Sequence, residues 1–183
     1  DSWQGNARDR YQDKNSQFFR PLYEALNAEN TTDQRYAEAF AKYISDEIAF
    51  MNNKGVNTEE QRRRVAEINE MALSLIKKFP NSGDVIGSAI SAISLFIAIT
   101  RKERRFAEIE RSYEIACESA APYPESIGVQ LNRIGIIANF IIAKIGWGRL
   151  YVREEVAQME GILVAISRVY GGRDSIPNSY CQH

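Results

Sequence analysis

Apolar residues recur along this chain at spacings of three and four, and no window shows the alternation of a half-buried strand, so the pattern predicts an all-α protein. A first stripe, Phe18, Phe19, Leu22, Tyr23 and Leu26, follows a polar lead-in with Asn15 or Ser16 as cap, and Pro21 makes that helix short or late to start. Thr31 followed by Gln34 reads as a capping box. It opens a helix whose face carries Tyr36, Phe40, Tyr43, Ile44, Ile48 and Met51 until Asn52, Asn53 and Gly55 end it. Thr58 and Gln61 repeat the signature, and Val65, Ile68, Ala72, Leu75, Ile76 and Phe79 follow before Pro80 stops the pattern.

The next stretch differs, because no charged residue falls between Asp84 and Arg101. Hydrophobicity then runs around the whole helix, so most of its sides must be covered. Its sixteen uncharged residues fall short of the ~20 that cross a bilayer, which predicts a core helix. Gly87 with Ser91, and Ser88 with Ala92, lie four apart and let a neighbouring backbone come close. Phe106, Ile109, Tyr113, Ala116, Cys117 and Ala120 form another one-sided stripe, ended by Ala121-Pro122-Tyr123-Pro124. A second apolar segment, Ile127 to Ile145, is interrupted only by Gln130, Asn132, Arg133, Asn139 and Lys144 and reads as largely buried too. Gly146-Trp147-Gly148 breaks it. Val152, Val156, Met159, Leu163, Ile166 and Tyr170 then give a last amphipathic helix that Gly171-Gly172 terminates.

Together these elements predict a single compact domain over residues 1–183 with six to seven helices, in which two apolar helices, about 84–100 and 125–145, are wrapped by amphipathic ones. Residues 1–14 and 173–183 are expected to be loosely ordered. Helix starts near 58 and 103, and near 83 and 124, are spaced as in helical-hairpin repeats, so a hairpin-repeat layout is an architectural option. The tetratricopeptide pattern does not fit, since Trp147 stands where a small residue is required after Leu131, Ile134, Gly135 and Ala138.

Composition narrows the functional classes. With 23 basic and 24 acidic side chains the net charge is −1, which excludes a generally basic nucleic-acid coat. A hydrophobic share of 44% places the chain among ordinary globular proteins rather than disordered or disulfide-dense ones. Arg62-Arg63-Arg64 and the Arg101–Arg105 run are the sharpest charge features, but Glu59, Glu60, Glu67 and Glu108 stand three or four residues away and predict self-paired faces. The acidic first third and the basic middle third also favour an internal or dimeric contact over nucleic acid.

Candidate chemistry is sparse. The lone histidine, His183, ends the chain, and no Ser-His or Cys-His nucleophile pair can be assembled in a rigid site from it. No CxxC, HExxH, calcium-loop or phosphate-loop spacing occurs, so neither a metal nor a cofactor is expected. Glu108, Glu110 and Glu114, or Glu118 and Glu125, are the carboxylates a hydrolase would use, although solvated helix faces carry such residues routinely. The recognition-type side chains cluster in Gly146-Trp147-Gly148-Arg149-Leu150-Tyr151, with Tyr123 between two prolines as a second position. Against this, Trp147 also suits a ring that folds back to plug the bundle. Cys117 and Cys181 would close a long loop if oxidised, and the chain starts at Asp1 without a leader.

The sequence therefore predicts a non-enzymatic protein-binding domain, of an accessory, inhibitor or immunity type in an extracytoplasmic compartment. Its expected partner is another protein through Trp147, Arg149, Tyr151 and Tyr123, with no nucleic acid, no stable membrane insertion, and a homo-oligomer as an option. A lipid-binding helical protein and a carboxylate-dependent hydrolase are the alternatives from other classes.

Overall fold

The computed structural model describes residues 32–170, and within them it is all-helical. The six helices are α1 (Gln34–Lys54), α2 (Glu59–Lys78), α3 (Gly83–Thr100), α4 (Phe106–Ala120), α5 (Ile127–Gly146) and α6 (Arg153–Tyr170). The stripe at Phe18–Leu26 and the expectations for residues 1–14 and 173–183 lie outside the described residues.

Local chemistry sets each boundary. Thr58 and Gln61 form the predicted capping box at the start of α2, each side chain satisfying the other's backbone N–H. Ser82 and Ser126 accept from the third amides of α3 and α5. At α1 the expected box based on Thr31 is replaced by Asp33, whose carboxylate accepts from Arg35 N at 2.9 Å. Three capping residues stand in a row there, and the hydrophobic pattern alone does not choose among them. Gly55 ends α1 with φ +81°, a conformation that disfavours any side chain, while Asn52 and Asn53 remain helical.

The helices form two layers. α1, α3 and α5 make one layer and α2, α4 and α6 the other, so that three antiparallel hairpins stack side by side with α3 in contact with α1, α2, α4 and α5. The second-layer helices begin 47 residues apart in each step, at Glu59, Phe106 and Arg153. Contacts between hairpins fall slightly short of that offset. Ser45 bonds Ser91 at 3.1 Å, Asn69 bonds Ser112 at 3.0 Å and Tyr113 bonds Gln158 at 3.0 Å. Asn132 donates to Gly87 O at 2.9 Å, Asn139 to Ser94 O at 3.1 Å and Trp147 to Arg101 O at 2.8 Å. All six join residues 43 to 46 apart. A polar side chain of one hairpin thus satisfies the next at a fixed register, which makes the hairpin-repeat layout the architecture of the described residues.

The core follows from this stacking. Val85, Ile86, Ile90, Ile93, Phe96 and Ile97 of α3 are fully buried, and Gly87 lets Val129 and Asn132 of α5 pack against its backbone. The second apolar helix departs from expectation. Its Ile136, Ile137 and Phe140 are buried, but Ile142 and Ile145 stay 47% and 49% exposed. α5 belongs to the last described hairpin, so α3 covers one flank and no described helix lies on the other. The stripe on α6 is also only half used: Ile162 is buried and Met159 and Ile166 are half-buried, whereas Val156 and Leu163 are exposed. Tyr36, placed on the covered face of α1 by its spacing, is exposed as well.

Arg62, Arg63, Arg64 and Arg105 of the basic runs are paired. Arg64 bonds Glu47 of α1 at 2.8 and 2.9 Å and also meets Glu67, which joins the acidic first region to the basic second one. Burial works against this arginine and the Glu47 carboxylate outweighs it, so its affinity for the proton rises still higher. Arg62 meets Glu59, Arg63 meets Glu67 and Arg105 meets Glu108, each three or four residues away along its own helix or its lead-in. Arg104 sits in the turn at φ 56°.

Candidate functional site

The turn that leaves α5 builds one side of a concave surface. Gly148 adopts φ +77°, and the amides of Gly148 and Arg149 return to Ile145 O at 2.9 Å and Lys144 O at 2.9 Å. This double closure ends the helix and reverses the chain. Trp147, held before the reversal, folds inward: its indole N–H donates to Arg101 O, and its ring meets Phe106 edge-on at 4.6 Å and Phe140 at 6.3 Å. The tryptophan is therefore a plug between the α3–α4 turn and α5. Arg149 lies over the rings of Phe106 and Trp147 at 5.5 and 5.7 Å and pairs with Glu110. Leu150 and Tyr151 then point away from the stack, 77% and 71% exposed.

Tyr123 is elsewhere. It lies in the α4–α5 turn at the opposite end of the hairpins, donates to Pro80 O at 2.7 Å, and packs where a Cβ on Gly83 would stand 3.4 Å from its ring. It clasps the α2–α3 turn. The structure thus gathers Trp147, Arg149 and Tyr151 and separates Tyr123 from them.

Between α4, the α5 turn and α6 lies an open cleft of about 890 Å³. Tyr113 and Phe140 stack at 3.9 Å with 13° between planes and form its apolar wall, with Leu150 and Tyr151 at the mouth. Lys144 bonds Glu155 at 2.6 Å, and Arg149 takes Glu110, so both cations are neutralised inside the cleft. Glu114 and Glu154 also line it and have no ion pair among the described residues, leaving the wall net negative. Burial holds the Tyr113 phenol well above its ordinary range, and nearby Cys117 adds to this, so it serves as a neutral donor to Gln158.

Sequence reasoning missed Tyr113, Phe140, Glu114 and Glu154 as members of one cleft. Their spacing shows ordinary stripes and faces, and only the fold of α6 onto α4 and α5 brings them together. Of the carboxylates a hydrolase would use, Glu108 is bound to Arg105 and Glu110 to Arg149, while Glu118 and Glu125 are exposed. Cys117 is a free, buried thiol whose pKa burial pushes up, and Cys181, its possible disulfide partner, lies outside the described residues. No group of His, Cys, Asp and Glu among the described residues is placed to hold a metal ion. No family model matches the chain, and no curated protein or solved structure matches it at significance.

Proposed function

We propose that this chain is a non-enzymatic, protein-binding stack of helical hairpins, and that it receives a basic segment of a partner protein in the cleft between α4, α5 and α6. The observation that carries this reading is the pair Glu114 and Glu154, unpaired carboxylates beside the Tyr113–Phe140 stack and the exposed Leu150 and Tyr151. A lysine or arginine of a partner gains a carboxylate and the exposed ring of Tyr151 there, while its apolar neighbours cover Leu150.

The test compares affinity capture from the native source by the full chain and by the Glu114→Gln/Glu154→Gln variant. A fluorescent Lys/Leu-rich peptide serves as probe for both. Capture of a protein by the first and not the second, with peptide affinity reduced about tenfold in the variant, supports the reading. Equal capture and equal affinity overturn it.

A second reading, association with a lipid surface, is favoured by one observation. α5 is 20 residues long, apolar enough to cross a bilayer, and leaves Ile142 and Ile145 half-exposed, whereas the comparably apolar α3 is mostly enclosed. Co-sedimentation with anionic liposomes, lost in Ile142→Ser/Ile145→Ser, would support it, and absence of co-sedimentation would retire it.

A further inference from the structure

Behind the Tyr113–Gln158 contact lies a second, smaller cavity of about 300 Å³, walled by Ala121 and Pro124 of the α4–α5 turn and by Ile162 and Ala165 of α6. Arg133 of α5 lines it, and its Nε is buried without a hydrogen-bond partner. Of the other half-buried cations, Arg64, Arg105 and Lys144 each meet a carboxylate, and Arg101 at the α3 end meets none among the described residues. Arg133 meets none among the described residues. What it faces is the Cys117 sulfur, which Tyr113 also approaches. Burial raises that thiol's pKa, so it stays neutral and leaves the guanidinium charge without a counter-ion. Arg133 is half-buried, its Nε fully so and without a hydrogen-bond partner, and its planar fork matches a carboxylate. Gln158 supplies a second donor, because its Oε1 accepts from the Tyr113 hydroxyl at 3.0 Å and its amide N–H groups are left over.

We propose that this cavity binds a carboxylate bearing a short apolar chain, with the carboxylate on Arg133 and Gln158 and the chain against Pro124, Ile162 and Ala165. Its size lies at the lower end of the roughly 300–1,000 Å³ of ligand pockets, which selects a small acid or the terminal carboxylate of a peptide. The site shares Gln158 with the acidic cleft, but its charged residue, Arg133, lies outside that cleft, so the two attract ligands of opposite charge.

The experiment is thermal unfolding of the full chain with butyrate, hexanoate, hexanamide, and a short peptide ending in valine with a free or an amidated terminus. Hexanoate or the free-acid peptide is expected to raise Tm saturably, by roughly 5–10 °C at a hundredfold excess over Kd, while both amides leave it unchanged. Whichever of the two acids acts at lower concentration identifies the source of the carboxylate. Arg133→Gln should abolish the shift. Ala165→Leu fills the cavity without touching the charge and should abolish it too, which keeps the test decisive if the arginine variant fails to fold. No shift with either acid, equal shifts with hexanamide, or shifts that survive in Ala165→Leu would sink the proposal.

Discussion

α3 and α5 are alike in sequence and unlike in circumstance. Both are apolar around most of their circumference, yet α3 is enclosed by four helices while α5 keeps Ile142 and Ile145 half in solvent. The difference lies in position. α3 has a first-layer neighbour on each side, whereas α5 has one, and in a stack of hairpins the covered area of a helix is set by its neighbours rather than by its own composition. The apolar character of α5 therefore records what would be buried if something lay against its open flank.

The largest expected effect tests the enclosed member of the pair. Ile90→Ala in α3 empties a fully buried site and should cost about 2–5 kcal/mol in denaturant unfolding, whereas Ile145→Ala in α5 should stay within roughly 0.5–1 kcal/mol. Similar losses at both positions would mean that α5 is as covered as α3. Next comes the link between the two helices. Asn139 donates to both the carbonyl and the hydroxyl of Ser94, so Asn139→Ala should cost about 1–3 kcal/mol by leaving a part-buried carbonyl poorly satisfied.

At the other edge of the stack the comparison can be sharpened by pH. Burial first, and the Glu47 charge second, push the Tyr43 phenol of α1 up from 10.0 to about 12. Folding thus favours the protonated form, so its contribution is complete below pH 10 and is lost as pH climbs to about 12. Because Tyr43 is partly open to solvent, the drop is smaller than a two-unit shift implies, and Tyr43→Phe should flatten the stability profile in that window by circular dichroism. An unchanged slope would assign the loss to other groups. The smallest effect belongs to the cap of α2, where Thr58→Ala should cost about 1 kcal/mol and leave hydrogen exchange in α3 slow.

Much of this architecture was legible in the chain. Periodicity located every described helix, Gly55, Pro80 and the Ala121–Pro124 turn located the breaks, and the Thr58 box was readable because its two halves sit at fixed spacing. The layout of hairpins was legible only as a spacing. What fixed it were Asn132, Asn139 and Trp147, polar atoms reaching one hairpin back, and a sequence does not say which carbonyl an asparagine will find. The exposure of α5 was illegible for a similar reason, since burial depends on an absent or present neighbour. At the site, the turn after α5 was readable from Gly148, but the inward fold of Trp147 and the outward fold of Leu150 were not. Arg133 carried a faint signal: it is the one charged residue between Ile127 and Ala143, a cation in a segment otherwise fit for a core.

The constant offset of the bonds between hairpins also has a mechanical meaning. Among the described residues each hairpin is fastened to its neighbours in the stack through contacts along the seams, so force applied across the described hairpins would load the seams one after another rather than all together. Such a molecule peels. Among the described residues α6 has few covered side chains, so it would come away first and leave the α3 layer intact, and it is also the segment that frames the acidic cleft.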